Sequence, residues 1–270
     1  MNSKELATVA AKIRYEALDA ITCAGTGHPG GSLSMADIIA TLYFEVMNID
    51  PKHPDDPNRD RFVLSKGHAC PALYAALAER GFFDKKELKR LRHLDSFLQG
   101  HPDMKHTPGV DMSTGSLGQG ISAACGIALS ARLQKRSYRV YTVLGDGEID
   151  EGQVWEALMF AKHYKLTNLT VILDHNGLQI DGTNDEVMSV ENPVARFESF
   201  GFNVIEIDGN DIDSLLAAFD LAKKCTYKPT LIVANTIKGK GVSFMENQVG
   251  WHGKAPSADE LAKAKEELGV

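Results

Sequence analysis

Gly145-Asp146-Gly147-Glu148 follows an apolar run, Arg139 to Leu144, and precedes a segment with helical spacing in Val154, Leu158 and Ala161. A strand that gives way to a helix at such a turn is a phosphate site. The helix offers free backbone N–H groups and its positive dipole end, and glycine lets the main chain approach closely. An aspartate among those glycines would repel a bare phosphate, so its presence calls for a cation between the two. A second apolar run, Leu169 to Asp174, ends in His175-Asn176-Gly177-Leu178. If the two runs are neighbouring strands, Asn176 stands at the same sheet edge as Asp146 and two oxygen ligands converge. Magnesium favours oxygens in near-octahedral array, engages few protein groups and takes the rest from phosphate and water. Asp146, Asn176 and one backbone carbonyl meet that demand. Asp-Gly and Asn-Gly are also common hairpin turns, but a hairpin needs a strand directly after the turn, and the residues after Gly147 read as helix.

Four histidines stand beside a glycine: His28, His68, His101 and His252. Singly, a loop histidine is ordinarily a surface or structural residue; as a set they suit a sugar phosphate, whose hydroxyls and carbonyl need donors, acceptors and a proton shuttle near neutral pH. His53, His93, His106, His163 and His175 lack that context and read as structural. Glu151 and Glu156 fall in the first turns after the Gly-Asp-Gly loop, where negative charge is favourable at a helix N-terminus. Glycines 115, 118 and 120 run G-x-x-G-x-G with no clear strand before them, which is a weak dinucleotide signal, and no phosphate-loop G-x-x-x-x-G-K-[ST] occurs.

The elements that must position these residues follow from periodicity. Leu6, Val9, Ala10, Ile13, Ala17, Leu18 and Ile21 recur at helical spacing behind an Asn2/Glu5 capping box. After the loop Gly25 to Gly31, Ser34 and Asp37 read as a second capping pair ahead of a helix with Ile38, Ile39, Leu42, Phe44 and Val46. A strand is expected over Arg61 to Ser65, a loop at Gly67-His68, and a helix that Pro71 starts and Gly81 stops. Beyond residue 116 the order is helix to about 135, strand 139 to 144, helix to about 164, strand 169 to 174, helix 193 to 200, strand 204 to 208, helix 212 to 224 and strand 230 to 235. The alternation predicts an α/β fold, a doubly wound parallel sheet with helices on both faces, and residues 1–270 as one domain. Thr236 to Pro256 lacks periodicity, and loops of that length are usually functional. A closing helix is capped by Ser257 with Glu260.

With 270 residues, 43% hydrophobic and 24% charged, the chain has the composition of an ordinary globular protein. Its net charge of -7 is spread without a basic stripe, which argues against nucleic acid or an anionic membrane as partner. Cys23, Cys70, Cys125 and Cys225 lie far apart with no C-x-x-C pair, so neither a disulfide framework nor a structural zinc is indicated and a reducing cytoplasm fits. No leader pattern opens the sequence and no apolar run reaches bilayer length.

Gly145-Asp-Gly147 with Asn176 matches the thiamine diphosphate motif, and nearly the whole chain resembles the N-terminal half of transketolase. Gly27-His-Pro-Gly30, Ser65-Lys-Gly-His68, Gly100-His-Pro-Asp103, Gly115-Ser-Leu-Gly-Gln-Gly120, Gly147 to Gly152, Leu178-Gln-Ile-Asp-Gly182 and Ile237 to His252 fall in that family's order. The resemblance implies that Asp146, Asn176 and the Leu178 carbonyl hold magnesium, with calcium or manganese as alternatives. It implies that His68, Gly115, Ser116, Leu117, Gly145, Gly147, Glu148 and Ile180 join Asp146 and Asn176 in binding thiamine diphosphate. His28, His101 and His252 would line the substrate cleft as catalytic groups. Glu151 and Glu156 would face a subunit interface and communicate with a cofactor-activating glutamate. In this family that glutamate belongs to a following pyrimidine-binding domain.

The resemblance therefore implies the N-terminal subunit of a split transketolase, assembled as two copies with two of a C-terminal subunit. It would move a two-carbon ketol unit from a ketose phosphate to an aldose phosphate by way of a carbanion on the cofactor. The alternatives are a split relative acting on an unusual sugar such as a sulfo sugar, a deoxyxylulose phosphate synthase, and a cofactor-binding scaffold without turnover. Gly27-His-Pro-Gly30 resembles the transketolase loop better than the serine-rich loop of the synthase.

Overall fold

In the computed structural model, which describes residues 1–270, five strands form one parallel sheet. They are β1 Arg61–Leu64, β2 Val140–Gly145, β3 Leu169–His175, β4 Asn203–Asp208 and β5 Thr230–Asn235, in the order β1-β2-β3-β5-β4. Alternation sends Tyr141, Val143, Ile172 and Ile232 to one face and Leu144, Val171, Leu173 and Val233 to the other, and each set lies in its own apolar cluster. Both faces are thus apolar and both need helices over them. The first is covered by α1 Ser3–Ala24, α3 Ala36–Thr41, α4 Cys70–Arg80 and α9 Ile212–Lys224, the second by α5 Gln119–Leu133, α6 Gly152–His163 and α8 Pro193–Ser199. This is the doubly wound arrangement the sequence predicts. Two short helices, α2 Pro29–Ser34 and α7 Asn184–Val187, and the terminal α10 Ala258–Leu268 complete the element order.

The expected capping boxes form at Asn2/Glu5 and Ser257/Glu260. The one expected at Ser34/Asp37 does not. Pro29, pre-set for the first helical position, begins α2 instead, so Ser34 is already inside a helix when the chain reaches it. Its hydroxyl donates to the buried Asp174 carboxylate at 2.6 Å, while Asp37 pairs with Arg14. Both side chains make tertiary bonds rather than a cap, and a π-helical turn, Leu42–Val46, continues α3.

Helix α5 begins at Gln119, not near 116, because Gly118 takes a left-handed φ of 80° and leaves Ser116 and Leu117 in the preceding turn. A Cβ at Gly120 would stand 2.6 Å from Ser65 Cα, so only glycine lets α5 pack against the end of β1. The segment 236–256 is irregular apart from a turn of 3-10 helix at Val249–Trp251. Val242, Met245 and Trp251 anchor it against Leu18, Leu33 and Ala264. No helix is long and apolar enough to cross a membrane. All four cysteines are free; burial pushes the Cys70 and Cys125 thiols up to about 12, away from nucleophilic use.

Candidate functional site

Strands β2 and β3 pair with Gly145 opposite Asp174, so Asp146 and Asn176 leave adjacent strands at one carboxyl edge. Asp146 is 4% exposed. Its Oδ2 accepts the backbone N–H groups of Asn176 and Gly177, each at 2.8 Å, and its Oδ1 meets His175 Nδ1 at 2.5 Å. Asn176 Oδ1 accepts from the Leu178 amide at 3.3 Å. The Leu178 carbonyl turns towards a cation: the Lys238 ammonium donates to it at 3.4 Å and to the Gln179 carbonyl at 3.1 Å.

These groups open onto a cavity of about 320 Å³. The cavity gathers His28, His68, Gly115, Leu117, Gly145, Asp146, Gly147, Glu148, Asn176, Leu178, Ile180 and His252, twelve of the expected residues, together with Gly31, Lys66, Gln179 and Lys238. Four expected residues stand apart. Ser116 is exposed in the turn before α5, and Glu151 and Glu156 are exposed at the start and along the outer side of α6. His101 borders the cavity from behind Gly115, whose position a Cβ would take to 3.0 Å from the imidazole.

At the mouth, His28, His68 and His252 form a triangle with ring centroids 5.2, 5.4 and 5.5 Å apart. Burial, then neighbouring positive charge, lowers His28 and His252 to about 4 and His68 well below its usual range. All three imidazoles are therefore neutral at pH 7, each able to donate from one nitrogen and accept at the other. His28 Nδ1 is buried without a hydrogen-bond partner, a state that a bound ligand relieves. His101 is lowered too, by burial and by Arg92.

Beneath the histidines lie two lysines that the sequence motifs do not single out. Lys66 is 1% exposed; its ammonium donates to the Gly31 carbonyl at 3.0 Å and pairs with Asp174, which is 0% exposed and also accepts from Ser34 and Thr236. Lys238, 2% exposed, reaches His252 Nδ1 at 3.2 Å, and burial followed by repulsion from Lys66 pushes it down to about 8. Lys66 sits inside the Ser65-Lys-Gly-His68 segment, where the histidine alone suggests chemistry. Lys238 sits in the aperiodic 236–256 stretch, directly before Gly239-Lys240-Gly241, and that glycine-bearing turn is the one signal near it in the sequence.

Two residues make contacts that sequence order does not show. Glu148 lines the cavity; it is 1% exposed, and its carboxylate accepts from Ser65 Oγ at 2.5 Å, the Gly118 amide at 3.0 Å and the Gly145 amide at 3.2 Å. It joins the residue after β1, the turn before α5 and the end of β2, and burial raises its pKa despite those bonds. His175, expected to be structural, contacts the Asp146 carboxylate directly.

The donor set fits a diphosphate with a divalent cation. Two side-chain oxygens and a carbonyl that faces a cation are hard donors of the kind magnesium takes, and the Lys238 ammonium, which has no carboxylate partner, would offset phosphate charge. No three His, Cys, Asp or Glu side chains gather as a metal cage anywhere in the chain, so a metal here would draw its remaining oxygens from the ligand and water. Fold and site together define an α/β domain that takes a diphosphate-bearing cofactor at the carboxyl edge of its parallel sheet. The chain belongs to the family described as "Transketolase, thiamine diphosphate binding domain", which matches residues 6–270.

It is 48% identical over 240 residues to the 6-deoxy-6-sulfo-D-fructose transketolase subunit SqwG of Clostridium sp. (strain MSTE9), covering 89% of this chain and 87% of that one. It is 40% identical over 257 residues to an apulose-4-phosphate transketolase subunit of Phocaeicola vulgatus, covering 95% and 91%. The crystal structure of transketolase from Campylobacter jejuni superposes with a TM-score of 0.94 at 37% identity, covering 100% of this chain and 43% of that one. The chain thus spans less than half of that transketolase.

Proposed function

We propose that this chain is the N-terminal, cofactor-holding subunit of a two-chain transketolase. One observation supports the reading: a chain with the extent of relatives named as transketolase subunits gathers Asp146, Asn176 and Leu178 with three histidines and two lysines around one cavity. Asp146, Asn176 and the Leu178 carbonyl would hold magnesium, with Lys238 beside them to meet the diphosphate. Thiamine diphosphate, when bound, supplies a nucleophilic thiazolium carbon. The chain's own part is to bind, orient and exchange protons. Neutral His28, His68 and His252 offer the hydrogen bonds that a ketose or aldose phosphate needs, and His101 stands behind Gly115. Ile180, 61% exposed at the cavity, would be covered by a pyrimidine-binding domain on the partner, with Glu151 and Glu156 on the surface turned to it. The assembly is proposed as two copies of each chain, in the cytoplasm. The reaction is transfer of a two-carbon ketol unit between sugar phosphates.

The names of the Clostridium and Phocaeicola relatives favour a panel of donors that includes a sulfonated ketose and a branched-chain ketose phosphate alongside pentose phosphates. Mixing the chain with its partner subunit, thiamine diphosphate and magnesium should give ketol transfer from at least one donor and none from the chain alone. A verified complex with bound cofactor and no transfer from any donor would leave only the scaffold reading. His252→Ala should lower kcat by about 100-fold, the low end of general acid–base contributions, with little change in cofactor Kd. The reverse pattern would make His252 a cofactor ligand.

A further inference from the structure

His175 closes β3 one residue after the buried Asp174 and one before Asn176. Its Nδ1 lies 2.5 Å from Asp146 Oδ1, while the other carboxylate oxygen is held by the Asn176 and Gly177 amides. The two amides hold Oδ2 and make no contact with Oδ1. The imidazole supplies the second anchor. The ring is 27% exposed, and its far side forms part of a second, polar cavity with Gly177, Thr183 and Asn184. A carboxylate only accepts, so the Nδ1 atom carries the hydrogen in this bond. The two amides take both lone-pair positions of Oδ2, and Oδ1 keeps one beyond the imidazole.

We propose that His175 is a positioning residue for the metal: by donating to Asp146 Oδ1 it sets the plane in which that carboxylate meets the cation. The inference rests on the assignment of Asp146 as a metal ligand. Groups that hold a ligating carboxylate are worth about 10–100-fold in metal affinity, and the single bond at issue here is expected at the lower end.

The test is a magnesium titration of the partnered protein at fixed thiamine diphosphate, read by tryptophan fluorescence, on wild type, His175→Ala, His175→Asn, His175→Gln and Asp146→Ala. The magnesium Kd should rise about tenfold in His175→Ala. It should return close to wild type in His175→Asn, whose amide reaches the Nδ1 position, and stay high in His175→Gln, whose amide extends to the Nε2 position. A staple that merely stiffened the loop would not separate Asn from Gln. Equal Kd values for the Asn and Gln variants, or an unchanged Kd in a folded His175→Ala protein, would overturn the proposal. Those results with magnesium binding lost in Asp146→Ala would remove His175 alone; unchanged binding in Asp146→Ala would remove the metal assignment and His175 together.

Discussion

Asp146→Ala should abolish magnesium-dependent retention of thiamine diphosphate in the partnered enzyme, a loss larger than the about 10–100-fold that follows removal of an outer-shell group. The alanine removes the one carboxylate of the ligand set and also strands the Asn176 and Gly177 amides, which both bond to Asp146 Oδ2. Stability should fall as well, by about 1–3 kcal/mol for buried donors left without a partner, yet the sheet should persist because Asp146 lies past the end of β2 and outside both apolar clusters. Asp146→Asn separates the two effects. Its amide oxygen can still accept from the Asn176 and Gly177 amides, so stability should recover, while the lost negative charge leaves cofactor retention impaired. Gel filtration with and without a chelator, followed by assay of bound cofactor, reads the outcome. Retention equal to wild type in Asp146→Ala would refute the ligand assignment.

Lys66→Met should destabilise the chain by about 3–5 kcal/mol, the cost of removing one member of a buried ion pair and leaving the other uncompensated. Asp174 would keep only neutral donors, from Ser34, Thr236 and, at 3.5 Å, the Asn176 amide, around a carboxylate with no solvent exposure. The pair links α2, the end of β1 and the end of β3, so α2, which bears Gly31, and the turn bearing His68 lose their shared anchor with it. Adding Asp174→Leu to Lys66→Met should restore part of the loss, because replacing both charges by apolar groups is far less costly than stranding one. Urea denaturation of the three proteins gives the comparison. A Lys66→Met midpoint unchanged from wild type would show that the pair contributes nothing to stability.

Strand and helix assignments, and the placing of Asp146 and Asn176 at one sheet edge, were legible where a residue's position depends on its immediate neighbours. Strands β2 and β3 are apolar on both faces, so their runs stand out, and the turns that end them carry Asp146 and Asn176 in plain view. The capping boxes at Asn2 and Ser257 are likewise local. Ser34 and Asp37 have the same residue types at the same spacing, but Asp174 and Arg14 claim them from distant parts of the chain. No local pattern distinguishes those two fates. Lys66, Lys238 and His175 escape a sequence reading for the same reason: their partners Asp174, Leu178 and Asp146 are brought beside them only when β1, β2, β3 and β5 come together at one edge. Glu148 shows both cases. Its place in the motif puts it at the cavity wall, while its bonds to Ser65 and Gly118 come from distant parts of the chain.

This chain is proposed to hold the metal and diphosphate side of a cofactor site completed by another chain. Calorimetric titration of thiamine diphosphate with magnesium, first into this chain alone and then into its mixture with the partner subunit, tests it most directly. Tight, magnesium-dependent binding confined to the mixture is the predicted result; no magnesium-dependent binding in either sample, with the complex verified, would contradict the account.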